Sequence, residues 1–136
     1  MSEFHTVQTE FLQDNEGALI KALQDIGYEP IVYEDAVHLE GYRGDKREQK
    51  AHIVIPRKQI SNASNDIGFE RLENGKYRLH VSEFDETGWK KQSEKLVQYY
   101  GKAVVESIAE SSDYSMVEEV EDEDGTIRIR MRINEY

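Results

Sequence analysis

The stretch Leu39-Glu40-Gly41-Tyr42-Arg43-Gly44, with the strand Ala51-His52-Ile53-Val54-Ile55 that follows it, decides how this chain folds. Gly44 tolerates positive φ, so a tight turn through Gly44-Asp45-Lys46 is expected between apolar arms. Val37 to Tyr42 and Gln49 to Ile55 then read as an antiparallel hairpin. The register that best separates apolar from polar side chains sets Glu40 opposite Lys50 and His38 opposite His52. It places Val37, Leu39, Ala51, Ile53 and Ile55 on one buried face, and a slip of one residue would expose the whole set. Pro56 has no N–H to donate and ends the strand.

Toward the N-terminus, Ile31-Val32-Tyr33 predicts a short strand after Pro30, with a turn at Asp35-Ala36. Before it, Leu19, Ile20, Leu23 and Ile26 recur at helical spacing, so residues 15–26 are expected to be helical. Asp14 or Asn15 is the expected N-cap, and Gly27 is the expected C′ stop. Thr6 to Leu12 alternates Val7, Thr9 and Phe11 with polar residues and predicts a first strand.

Toward the C-terminus, Arg57 to Asn65 is polar and predicts the longest loop. Asp66-Ile67-Gly68-Phe69 starts a strand that turns at Asn74-Gly75. That dipeptide predicts a two-residue type I′ turn pairing Leu72 with Tyr77 and Glu73 with Lys76. The returning strand runs through Leu79 and Val81 to about Phe84. Asp85 or Thr87 caps a long helix whose stripe is Trp89, Ser93, Leu96, Val97, Tyr100, Val104 and Ile108. Gly101 inside it predicts close approach to the sheet. A last hairpin pairs Tyr114 to Val120 with Thr126 to Ile133 around Asp122-Glu123-Asp124-Gly125. In its second strand Ile127, Ile129, Met131 and Ile133 alternate with Arg128, Arg130 and Arg132, as one buried and one wet face require. The expected class is α+β: an antiparallel sheet of hairpins with two helices packed on one face, in the order β-α-β-β-β-β-β-α-β-β. No repeat or linker divides the 136 residues, so one domain, 1–136, is expected.

The net charge of −11 repels phosphate backbones and anionic lipid, so neither nucleic acid nor membrane is expected as a partner. No apolar run approaches the ~20 residues of a membrane helix, and no secretory signal pattern opens the chain. The cytoplasm is the expected compartment. The charge is uneven: Arg43 to Lys58 holds six basic residues against two acidic, whereas Glu106 to Asp124 holds nine acidic and no basic. Opposite poles of this kind suit docking by charge complementarity.

Catalytic patterns are missing. There is no cysteine, no Gly-x-Ser-x-Gly elbow and no Walker-type loop, since Gly41-Tyr42-Arg43-Gly44 lacks the Lys-Ser/Thr. Two imidazoles and a carboxylate can bind zinc or iron, and the expected register puts His38, Glu40 and His52 on one outer face. Histidines on a wet face are common, however, and no metal or cofactor is expected. Asp122-Glu123-Asp124-Gly125 is too short for a calcium loop. Arg128, Arg130 and Arg132 form a basic row that cross-strand pairing with Glu119 and Glu121 accounts for. Arg43 is expected to pair with Asp66 across the sheet, leaving Tyr42 as an exposed anchor. Tyr42, Arg43, Asp66, Arg128 and Arg130 are therefore the candidate binding residues.

With the elements placed, several short motifs fall in one order: Met1-Ser2-Glu3-Phe4, the helix end Lys21 to Gly27, Gly41-Tyr42-Arg43-Gly44, Asp66-Ile67-Gly68-Phe69, Asn74-Gly75-Lys76-Tyr77, Gln98-Tyr99-Tyr100 and Asp124-Gly125-Thr126-Ile127-Arg128. In this the chain resembles the hypothetical chloroplast reading frame thirty-five family of cyanobacteria, red-algal plastids, other bacteria and phages. It departs from the family where Glu3 stands in place of a common histidine, where Glu40 replaces a frequent basic residue, and near Phe84, where the family is richer in tryptophan. The resemblance implies this fold and size and no activity. Members are often encoded near an AAA-type ATPase and a ferredoxin-like protein, which implies such an ATPase as a partner.

The expected function is a small, soluble, non-enzymatic protein-binding or adaptor domain. One alternative is a ligand binder or enzyme using the Tyr42/Arg43 region, which requires a deep pocket there. The other is an acidic, phage-type inhibitor that imitates nucleic acid, which requires a contiguous stripe of carboxylates.

Overall fold

The computed structural model describes residues 3–111 and 114–133, without the side chains of residues 111, 114–117 and 131–133. The expectations placed on Met1-Ser2 and on the side chains of Met131, Arg132 and Ile133 lie outside the described residues. The elements are β1 (Phe4–Leu12), α1 (Glu16–Asp25), β2 (Ile31–Glu40), β3 (Lys46–Ile55), β4 (Ile67–Arg71), β5 (Lys76–Ser82), α2 (Glu86–Ser111), β6 (Tyr114–Glu121) and β7 (Ile127–Ile133). Five strands form one antiparallel sheet in the order β1-β5-β4-β3-β2, and β6-β7 is a separate two-stranded sheet. The class is α+β, as expected.

Both helices bury their stripes on one face of the sheet. Leu19, Ala22 and Leu23 of α1 and Trp89 and Leu96 of α2 meet Ile53, Ile55, Ile67, Phe69, Tyr77, Leu79 and Val81. Each fully buried large side chain of this set contributes roughly 1.5–3 kcal/mol. Helix α1 ends as its sequence predicts. Gly27 has φ 108°, its N–H reaches Gln24 O at 3.0 Å, and the Tyr28 N–H reaches Leu23 O at 3.0 Å. That pair of bonds is a Schellman motif.

The three tight hairpin turns share one geometry. Gly41 N–H donates to Asp45 O (2.8 Å), Leu72 N–H to Lys76 O (2.9 Å) and Asp122 N–H to Thr126 O (2.8 Å). In each, the glycine at the fourth position closes an inner bond and has φ between 78° and 88°: Gly44, Gly75 and Gly125. These are three-residue loops with glycine in the left-handed position. Type I′ geometry at Asn74-Gly75 is thereby corrected, because it needs positive φ at both residues and, among the described residues, only glycines have it. The pairing shifts accordingly, with Arg71 opposite Tyr77.

Several details of the deciding hairpin also differ from expectation. Glu40 pairs with Lys46 and His38 with Lys50. The two strands expected around Asp35-Ala36 are one strand, β2, whose register breaks between Val32 and Val37. Arg71 explains how the break is held, since its Nη1 donates to Tyr33 O (3.2 Å) and Glu34 O (3.3 Å) while Nε donates to Glu16 Oε1 (2.8 Å). Alternation in β3 breaks as well. Ile53 and Ile55 face the helices, but Ala51 joins Leu39, Val54 and Phe4 in a second cluster with Val37 packed against it. Phe4 and Leu39 belong to opposite edge strands, so the sheet curls until its edges meet on the face away from the helices.

The caps differ too. Asn15 makes no side-chain cap bond, and a 3-10 turn, Gln13–Asn15, precedes α1. Gln13 instead pins this junction to the β4–β5 turn through bonds from Nε2 to Leu72 O (2.6 Å) and Lys76 O (2.8 Å). Gly101 has open space where a Cβ would lie, so its expected approach to the sheet does not occur. Gly101→Ala should therefore raise stability by about 0.5–1 kcal/mol, from helix propensity alone, read as a shift in a urea midpoint at constant slope.

Candidate functional site

The Gly41–Gly44 turn is held from beneath by a buried polar scaffold. Ser64, Asn65, Asp66, Ser82 and Asp85 are all buried. Asn65 is its hub: Oδ1 accepts from Tyr42 N–H (2.9 Å), Nδ2 donates to Ser82 Oγ (2.8 Å), and N–H donates to Asp85 Oδ2 (3.0 Å). Ser82 Oγ donates to the same Asp85 oxygen at 2.8 Å. Asp85 also receives the Trp89 N–H on its carbonyl (2.9 Å) and so opens α2, one of its two expected caps. The turn, the long loop and the start of α2 are thus one hydrogen-bonded unit.

Asp66 is not paired with Arg43. Its Oδ2 accepts from Glu40 N–H (2.8 Å) and its Oδ1 from Arg57 N–H (2.8 Å), so both oxygens serve the backbone. Burial pushes its carboxyl above the ordinary value, against the two N–H donors. Arg43 is exposed and lies over the Tyr42 ring, its guanidinium carbon 5.2 Å from the centroid. Tyr42 is half-buried. Arg43→Lys should accordingly change stability by less than about 0.5 kcal/mol, since an exposed stacking contact is all that it alters; thermal denaturation checks it.

The other candidates are brought together in part. Arg128 pairs with Asp122 (2.9 Å) and Arg130 with Glu118 (3.5 Å), in place of the expected Glu119 and Glu121. Glu119 goes instead to Lys102 on α2 (2.6 Å). The reason is register: Glu119 stands opposite Ile129 and Glu121 opposite Ile127. The expected trio His38, Glu40 and His52 is dispersed. His38 Nδ1 lies 2.8 Å from Arg47 O, and His52 Nδ1 accepts the Arg71 N–H at 2.9 Å.

Two clusters were not foreseen. Glu3, His5 and Glu83 bring ligand atoms within 4.8 Å of one another at the surface, and Glu86 also contacts His5. On the face away from the helices, Thr6 Oγ1 lies 2.8 Å from His80 Nδ1, whose Nε2 lies 2.8 Å from Glu70 Oε1. That is the order nucleophile, base, orienting acid. Thr6 and His80 are direct cross-strand partners, however, and Arg78 also holds Glu70 (2.9 Å). None of the three clefts described below takes a wall from these residues. The set is a cross-strand latch.

The concave surfaces lie elsewhere. A small cleft of about 280 Å³ separates the start of α1 from the end of α2. A charged cleft of about 890 Å³ lies between the end of α1, α2 and the β6–β7 turn, among Lys91, Lys95, Asp25 and Glu121 to Asp124. The third, about 740 Å³, is different in kind. Its floor is Val7 and Phe11 of β1 with Leu79, and its wall is Trp89, Val97 and Tyr100 of α2. Val7 is 50% exposed although its cross-strand partner Leu79 is 8% exposed, and Val97 is 55% exposed. On its helix-facing side the edge strand β1 thus leaves Val7 uncovered, whereas Phe11 farther along packs edge-on against Tyr100, with ring centroids 4.8 Å apart. No candidate residue of the sequence reading borders this cleft. Its signal was present in two places, the Val7/Phe11 face and the breadth of the α2 stripe, which carries Val97 beyond the row that the sheet needs.

The class of protein is thus an α+β domain with a five-stranded antiparallel sheet, two helices on one face and an open apolar groove beside the edge strand. The chain matches the family described as "Protein of unknown function (DUF1257)" over residues 22–130 and belongs to it. Among curated proteins and among solved structures, nothing matches the chain.

Proposed function

We propose that the protein is a non-catalytic binding module that docks another protein in the groove between β1 and α2. The carrying observation is the apolar groove itself: Val7 and Val97 stand half-exposed in it, beside buried Leu79 and Trp89 and partly buried Phe11. Apolar surface gathered in one linear groove, rather than scattered singly, is characteristic of interaction sites. The alternative centred on Tyr42 and Arg43 has less support, because no wall of the three clefts comes from either residue. Imitation of nucleic acid is also less favoured, because Glu118, Glu119 and Asp122 are each matched by a cation. Among the described residues no helix is long and apolar enough to cross a membrane. The family resemblance nominates an AAA-type ATPase as the first partner to try.

Val97→Lys tests the reading. The site is an exposed helix position, where lysine is a better helix former than valine, so the fold should stand while the groove gains an unpartnered charge. A partner captured by the wild-type protein should be lost from the variant by tenfold or more, as a desolvated charge in an apolar contact requires. Equal capture by both would show that the groove is not the docking surface.

A further inference from the structure

The kind of element that fits the groove can be read from three features, given the docking reading above. The first is shape. The wall on α2 extends from Glu86 to Tyr100, about 21 Å at helical rise, and the floor from Val7 to Phe11 is about 13 Å of strand. The site is a trough parallel to α2, longer than it is wide. The second is layer coverage. A helix is about 10 Å across, the width of about two strands, so two helices cover about four strands of five. The strand left partly bare is the edge strand β1, where Val7 is exposed while Phe11 packs against Tyr100. A strand added to the outer edge of β1 would satisfy backbone groups but leave the pit over Val7 and beside Val97 open. A helix laid on β1 against α2 would fill it. The third is charge. The charged residues on the rim are Glu10, which Lys76 already holds (2.7 Å), Glu86, which His5 touches, Glu94 and Lys90, on a chain whose net charge is −11.

We propose that the groove receives an amphipathic, basic α-helix from a partner protein, its apolar stripe on Val7, Phe11 and Val97 and its lysines or arginines toward Glu86 and Glu94. The bound helix completes a three-helix layer over the five-stranded sheet. Apolar contact supplies the affinity, and charge sets orientation and excludes acidic helices.

Trp89, the single tryptophan, lines the groove and gives a direct optical readout on the intact protein. The probes are synthetic peptides of about five helical turns. One is a leucine/lysine peptide with leucines at i, i+3, i+4 and i+7; one is its leucine/glutamate counterpart; one is a leucine/lysine peptide of strict alternation, which forms a strand. The basic helix should shift Trp89 emission saturably. It should bind about tenfold more tightly than the acidic helix at low salt, and the gap should close at about 1 M salt. Val97→Lys and, separately, Val7→Lys should each weaken it about tenfold. Equal binding of the acidic helix, tighter binding of the alternating peptide, or indifference to both lysine variants would overturn the proposal. So would wild-type protein that sediments as a dimer and becomes monomeric as Val97→Lys, since a second copy would then be the occupant. A photocrosslinking residue at position 97 separates the two levels of the argument. A specific host protein crosslinked there, with no helix or charge preference among the peptides, keeps the docking reading and removes the basic helix. No crosslink and no peptide binding removes both.

Discussion

Gly68→Ala should cost about 3 kcal/mol, the largest effect expected of a single methyl group in this protein. Gly68 stands in β4 between Val54 and His80. A Cβ on it would lie 2.5 Å from Ala51 Cβ and 2.8 Å from Leu39 Cδ2. Both neighbours are fully buried on the curled side of the sheet. Leu39 is already packed in the cluster with Phe4 and Val54, and Ala51 Cβ is fixed to a paired strand, so backbone must move. Overpacking of this kind costs about 1–3 kcal/mol and occasionally more. For a domain of this size a loss of 3 kcal/mol lowers the melting temperature by about 10 °C. The clash is also removable. In the Gly68→Ala background, Ala51→Gly takes away the 2.5 Å contact and should restore about half of the loss, despite the cost of a glycine in a strand. Without such coupling in a double-mutant cycle, close packing at Gly68 would not be the cause.

Asp66→Asn should cost about 2–3 kcal/mol with no change of volume. One carboxylate oxygen serves Glu40 N–H and the other serves Arg57 N–H. An amide offers one acceptor and turns its NH₂ against the second N–H, leaving two donors face to face in a buried site. The hairpin end and the long loop should both loosen, visible as faster amide exchange at Glu40 and Arg57 beyond the global loss. The pH dependence has a definite sign. The folded carboxyl titrates above the ordinary value of 3.8 because burial raises it. Folding therefore favours its protonated form. That contribution is fully present below about pH 4 and is lost as pH rises through the folded value. The gap between wild type and Asp66→Asn should be widest in acid and narrow toward neutrality. A gap that widens with pH would show that the two N–H bonds outweigh desolvation.

Asp66 shows why the Tyr42/Arg43 reading took the wrong partner. Aspartate and arginine near each other in a strand-and-turn pattern suggest an ion pair. The backbone had prior demand, since a bulged hairpin and a loop crossing meet there and their N–H groups need acceptors. Arg43, with its carboxylate already taken, stacks on Tyr42 in solvent. The same competition separated His38 from His52: each imidazole was spent on the backbone of a neighbouring strand.

What the chain determines by local rules is considerable. Alternation in Thr6 to Leu12, the 3.6-residue stripe ending at Gly27, and glycine at the fourth position of three turns each specify an element through steric and hydrogen-bond limits that act over a few residues. Hence the order of elements, the α+β class and the side on which the helices lie were readable. Three things were decided only by the tertiary structure. The bulge in β2 and the break of alternation in β3 are the first, and the bulge is held by Arg71, which reaches from another strand to Tyr33, Glu34 and Glu16. The curl that buries Leu39, Ala51 and Phe4 together depends on those breaks, and it alone makes Gly68 obligatory. The groove depends on a mismatch of widths, two helices over five strands, which no window of sequence contains. Periodicity put Val7 on the apolar face of its strand and Val97 on the stripe of its helix; only the packed layer showed that nothing among the described residues covers them.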